Sequence, residues 1–171
     1  FLDWDLWLGT APTRPFAQGH YHPGNWRKWL DFGCGTMGDM GIHILDPVFS
    51  ALKIGTPTTA ISSSPKPPED SHGMKNRVTY TFPKTEFTTN DFKLTWSDGG
   101  LFPDTDLGIK LPGQGSLFIG EKGQMLLPHI AQPTLFPRED FADFQLKTVQ
   151  GENHYHLWVD ACLGGKPTTA G

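Results

Sequence analysis

"WLDFGCGTMGDMGIHILDPVFSALKIG", residues 29–55, decides how the chain is read. Within it, Gly33-Cys34-Gly35-Thr36-Met37-Gly38 satisfies G-x-G-x-x-G, the turn that cradles a dinucleotide pyrophosphate. That use of the glycines needs a hydrophobic strand before them, a helix after them, and an acid about 20 positions on at the end of a second strand. The residues before Gly33 are Asn25-Trp26-Arg27-Lys28-Trp29-Leu30-Asp31-Phe32, charged and aromatic, with none of the β-branched run of a buried parallel strand. Around position 53 the chain reads Leu52-Lys53-Ile54-Gly55-Thr56-Pro57 and offers no acid for a ribose. The glycines therefore need another reason. The residues that follow them, Asp39, His43 and Asp46, carry more chemistry.

Working outward, Met37, Ile44, Leu45, Val48, Phe49 and Leu52 recur at three- and four-residue spacing. This apolar stripe predicts a helix starting near Thr36 and packed on a sheet, with a kink at Pro47, which has no N–H for the carbonyl of residue 43. Gly38 and Gly41 each cost such a helix roughly 1 kcal/mol relative to Ala, as though room beside it were needed. Upstream, Asn25 is expected to cap a short helix over Trp26 to Leu30 that ends at Gly33. Residues 1–24 read as an irregular arm pinned by Trp4 and Trp7, broken at Pro12 and Pro15.

Downstream of Pro57 the period becomes two. Val78, Tyr80 and Phe82 alternate with polar residues, as do Phe92, Leu94 and Trp96; Leu117 and Ile119, then Met125 and Leu127, follow. Gly99-Gly100, Pro112-Gly113, Gly120 and Gly123 punctuate these runs, so the strands are antiparallel and joined by short turns. Residues 62–76 form a polar loop. A last helix runs from about Asn153 to Leu163, with Tyr155, Trp158, Val159 and Cys162 turned inward and Gly164 as its stop. The fold class is α+β: an open, mostly antiparallel sheet with helices packed on one face.

With 171 residues and 37% hydrophobic content the chain is long and apolar enough for a folded domain. A net charge of -4 argues against nucleic acid or an anionic membrane as its main partner. No apolar run approaches the ~20 residues of a membrane span. Two cysteines, Cys34 and Cys162, are read as reduced thiols. Because the chain opens at Phe1 and closes in Gly164-Gly165-Lys166-Pro167, it reads as a piece of something longer.

On a helix, Asp39 and His43 share a face with β-carbons about 5–6 Å apart. A carboxylate beside an imidazole favours the imidazolium, fixes its tautomer and suits it to proton transfer near neutral pH. The alternative is that Asp39 caps the helix and His43 is a satisfied interior residue.

"LDWDLWLGTAP", "NWRKWLDFGCGTMGDMGIHILD", "LTWSDGG", "GSLFIGEKG" and "NHYHLWVDACLGGKP" resemble, in order, the C-terminal domain of the Gfo/Idh/MocA oxidoreductases. The resemblance implies a sugar or polyol substrate, NAD or NADP bound mainly by a preceding dinucleotide domain, and a sheet face that forms a homo-oligomer. It implies that Asp39 and His43 are the catalytic acid/base pair, His43 exchanging the hydroxyl proton and Asp39 orienting it. Trp26 and Arg27 match the pair that faces the cofactor. Residues 1–24 would then link from the dinucleotide domain, and 25–171 would form the substrate-binding and oligomerisation domain. The family's Glu-Lys-Pro lysine has no counterpart here, since Glu121-Lys122-Gly123 lacks the proline, so the chain alone is expected to be inactive.

His22, Asn25, His154 and Tyr155 are candidates for substrate hydroxyl contact. His20/His22 and His154/His156 are H-x-H pairs; on a helix 154 and 156 diverge by about 200°, and no metal site is expected. Lys166 and Asp160 are read as solvated. A cytoplasmic location is expected, with periplasmic export left open. Two other functions stay open: an NAD-dependent glycosidase of the same family, and a non-catalytic carbohydrate-binding or oligomerisation module.

Overall fold

The computed structural model describes residues 2–105, 107–147 and 149–167. The chain divides into two compact units, Phe1–Asp140 and Phe141–Gly171. No helix among the described residues is long and apolar enough to cross a membrane.

The first unit is organised by helix α2, Gly35–Leu52, preceded by the short α1, Trp4–Leu8. Six strands follow: β1 Thr59–Ser62, β2 Arg77–Phe82, β3 Phe92–Ser97, β4 Gly115–Gly120, β5 Gly123–Pro128 and β6 Thr134–Phe136. They pair as two three-stranded antiparallel ladders, β1-β2-β3 and β4-β5-β6. The α+β class and the antiparallel pairing are as the sequence predicts. The strands divide between two ladders rather than one, parted by the proline- and glycine-bearing connection between Ser97 and Gly115.

Period-two alternation becomes packing through register. Tyr80 lies opposite Leu94 and Phe82 opposite Phe92, so the apolar members of both strands share one face. On that face Val48 of α2, Ile54, Phe82 and Leu94 form the core, with Leu45, Phe49, Leu52, Tyr80, Phe92 and Phe118 packed around it. Phe49 meets Phe82 edge-on, ring centroids 5.7 Å apart. Burying such side chains is worth about 1.5–3 kcal/mol each. The stripe read from sequence is thus the face α2 presents to the strands. A polar tie reaches the other ladder as well, where the Ser116 hydroxyl donates to the carbonyl of Ile44 at 3.1 Å. The helix continues past Pro47 to Leu52 and stops at Lys53, which adopts a left-handed conformation at φ 53°.

Several local expectations are corrected. Residues 4–8 of the arm are helical because Asp3 caps them, accepting from the Leu6 N–H. Trp4 stacks on Trp7 at 4.8 Å and both rings meet Tyr21, so these tryptophans do pin the arm. The Asn25 cap is not formed. Gly24 takes the capping position in a left-handed conformation, the helix is a 3-10 turn over Asn25–Lys28, and the Asn25 amide donates to Gly19 O at 2.7 Å. β1 and β6 escape a sequence reading because one is exposed along its whole length and the other has three residues.

In the second unit, α3 spans His154–Cys162, with the Asn153 side chain accepting from the N–H groups of Tyr155 and His156. Gly164, at φ 91°, follows its end. The face expected to turn inward does not: Tyr155 is 71% exposed, Trp158 65% and Val159 44%, and Cys162 is exposed as well. Among the described residues of this small unit, no strand or second α-helix is present to cover that stripe.

Gly41 gives a first expected result. A Cβ there would lie 3.9 Å from Leu45 Cδ1 and 4.0 Å from Met37 Cγ, ordinary contact distances. Gly41→Ala should therefore stabilise the chain by about 0.5–1 kcal/mol, read as a raised urea midpoint. A lowered midpoint would show that the bare backbone at 41 is required.

Candidate functional site

The glycine-rich turn is explained by packing. A Cβ on Gly33 would stand 2.5 Å from Arg27 Cα and 2.6 Å from Arg27 C, so only hydrogen lets the chain fold back over the 3-10 turn. Gly35 has φ 70°, and its Cβ would meet the His72 ring at 2.8 Å. A Cβ on Gly38 would strike Cys34 Sγ at 2.7 Å. Each glycine of the fingerprint admits a piece of the protein itself. The preceding residues form a 3-10 turn and an isolated antiparallel bridge, Trp29 to Ser71, rather than the strand a dinucleotide fold needs.

The polar loop before β2 holds this turn in place. Leu30 N–H donates to Asp70 O at 3.0 Å and His72 N–H to Lys28 O at 2.7 Å. His72 Nε2 lies 3.0 Å from Gly33 O; since a carbonyl only accepts, Nε2 carries the proton. Around the turn, Arg14 pairs with Asp31 and its guanidinium sits 5.3 Å over the Phe32 ring. Its hydrogen bond to Asp31, and secondarily one to Tyr21, raises the Arg14 pKa above its ordinary value.

The clamp aims Arg27. Its guanidinium lies 4.5 Å over the Trp26 ring and its Nε donates to Asp39 Oδ2 at 3.1 Å. Both charged groups are more than a third exposed, so this pair orients rather than stabilises. Asp39 stands on the first turns of α2, and His43, one turn on, is exposed to solvent. The sequence pairs Asp39 with His43. In the structure the Asp39 carboxylate bonds Arg27, while the His43 ring lies beside His129, centroids 5.7 Å apart and planes at 44°. His129 Nδ1 is 3.0 Å from Gln114 Oε1.

The other candidates are distributed as follows. His22 is exposed in the loop before the 3-10 turn, and Asn25 is tied to Gly19. His154 and Tyr155 lie in the second unit, their rings 4.0 Å apart on exposed α3. His20 stacks on Trp29 at 4.3 Å. Among the described residues, no three His, Cys, Asp or Glu side chains gather as a metal-binding group. A cleft of about 380 Å³ opens at Thr58, Thr81, Lys84 and Asp91, around the ends of β1, β2 and β3, and includes none of the candidates.

His72, His129 and Gln114 are not singled out by sequence. No motif marks them; only the return of the 62–76 loop and of the β4–β5 hairpin brings them to α2 and the turn before it. A profile described as "Oxidoreductase family, C-terminal alpha/beta domain" matches residues 1–87, which span the clamp, α2, β1 and β2. No curated protein matches the chain.

Proposed function

Since the chain belongs to the Gfo/Idh/MocA oxidoreductase family as its C-terminal alpha/beta domain, we propose that it supplies the substrate side of an NAD(P)-dependent dehydrogenase acting on a sugar or polyol hydroxyl. The observation that carries this reading is the shared placement of Trp26, Arg27, Asp39 and His43. Three are drawn together by the clamped turn, and the fourth stands one helical turn beyond Asp39 with its ring exposed.

Trp26 and Arg27 suit a nicotinamide dinucleotide. The ring offers a flat apolar surface, and the half-exposed guanidinium is a fixed cation able to meet an amide or a phosphate. NAD or NADP held there would supply the acceptor for the hydride of the carbinol carbon. His43 takes the proton of the same hydroxyl, so two electrons and one proton leave as hydride and the second proton remains on the imidazole. Asp39 holds Arg27 toward the cofactor side while flanking His43. His22, Asn25, His154 and Tyr155 remain candidate hydroxyl contacts.

In this reading residues 1–24 link from a dinucleotide-binding domain, and the enzyme works in the cytoplasm. It assembles as a homo-oligomer through its strands, on which Ile61 is 67% and Ile119 75% exposed. The test is a panel of aldoses and polyols offered to the full-length protein with NAD and with NADP. The reading expects growth of reduced-nicotinamide absorbance with at least one pair, and an oxidised sugar as product. A folded, cofactor-binding protein that reduces neither cofactor with any of them would sink it. Release of a free sugar from a glycoside without net reduction would point to the glycosidase instead.

A further inference from the structure

We infer that His129 is a second imidazole of the His43 site and binds the hydroxyl adjacent to the one that reacts, making the site selective for vicinal diols. The inference rests on the reading of His43 as the group that exchanges the substrate proton. Its additional residues, Gln114 and His129, lie beyond the family match, which ends at residue 87.

His129 is held in place. It directly follows β5, and its backbone N–H donates to Gln114 O at 3.1 Å, extending the ladder one step past the pair of Gly115 and Pro128. Its ring is fixed by the same residue, with Nδ1 3.0 Å from Gln114 Oε1. An amide oxygen only accepts, so Nδ1 carries the proton and Nε2 of the neutral ring is left as an acceptor. One side chain therefore sets both the tautomer and the orientation of His129. Such a bond to the nitrogen away from a site is how proteins prepare an imidazole for a ligand.

The two rings stand 5.7 Å apart, centroid to centroid, at 44° and both are exposed, so they border one solvent-open space. His43 has to accept a proton from the reacting hydroxyl, and Nε2 of His129 is suited to accept a hydrogen bond from a second hydroxyl. Hydroxyls on neighbouring carbons of a sugar or polyol meet both rings at once. An isolated alcohol meets one. Discrimination arises because the second hydroxyl of a diol adds a hydrogen bond to Nε2, in place of water, that a simple alcohol cannot make.

The experiment follows the ring nitrogens of His43 and His129 by ¹⁵N NMR in the full chain, titrated with myo-inositol and with cyclohexanol. Free protein should show His129 as the Nδ1–H tautomer, and Gln114→Ala should abolish that preference. Saturable shifts at both rings are expected with myo-inositol, and none at His129 with cyclohexanol. His129→Phe, which keeps the ring volume and removes the nitrogens, should weaken myo-inositol about three- to tenfold, the effect of one lost hydrogen bond. Movement of His43 alone, no movement at either ring, or unchanged affinity in His129→Phe would each overturn the inference. Failure of the underlying reading shows elsewhere: turnover that survives His43→Asn removes His43 from the chemistry, and absence of cofactor reduction with every sugar and polyol sinks the oxidoreductase reading, whatever the two rings do.

Discussion

His43→Asn, made in the intact protein, is expected to lower kcat by about 10²–10⁴ with a much smaller change in KM. Asparagine keeps a hydrogen-bonding side chain of similar reach but cannot take up a proton near neutral pH, so substrate is still held while the proton has nowhere to go. The ring is exposed and lies outside the apolar core around Val48, so the melting temperature should stay within a few degrees of the parent. Steady-state kinetics on the sugar or polyol that reduces the cofactor, beside a thermal melt, is the check. A variant that folds and turns over within twofold of the parent removes His43 from the chemistry. It would also leave the oligomerisation or sugar-binding module as the better account.

The second large effect is Gly33→Ala. Its Cβ would press within 2.6 Å of the Arg27 backbone, and backbone cannot swing aside as the end of a side chain can. Gly33 is also tied at both of its polar groups, its N–H to Trp29 O at 2.8 Å and its carbonyl to His72 Nε2 at 3.0 Å. Relieving the clash means opening the turn and surrendering those bonds. A loss of about 3 kcal/mol is expected, lowering the melting temperature by roughly 6–12 °C. Because the displaced backbone is that of Arg27, the Arg27–Asp39 bond and cofactor affinity should fall together with stability. Urea unfolding of the variant beside Gly41→Ala makes the contrast, one methyl group with opposite signs at two glycines of the same segment. Equal stability for the two variants would show that the turn is not held as described.

Of the site, α2 was readable from the chain alone, and so was the step from Asp39 to His43, because spacing on a helix is a local property. The glycines were legible as a departure from the dinucleotide pattern through their flanks, Trp26 to Phe32. Their actual work was not, since the group that fills the space beside Gly35 is His72, delivered by a polar loop with no periodicity of its own. The same holds for the partner of Asp39. Sequence offers the nearest imidazole on the helix, whereas a 3-10 turn lays Arg27 across the first turns of α2.

Periodicity of 3.6 and of two thus determined where α2 and strands β2 to β5 lie, and for α2, β2 and β3 which face packs, because those properties belong to consecutive residues. In β4 and β5 the alternation pointed to the wrong face: Ile119 is 75% exposed while Phe118 packs on the core, and the buried residue is Leu126, between Met125 and Leu127. Folding alone decided that six strands form two ladders, that Arg27 rather than His43 takes the Asp39 carboxylate, and that His129 reaches the side of His43. Each depends on a contact between residues that are not neighbours on one element: backbone hydrogen bonding for the ladders, and side-chain contacts for Arg27 and His129.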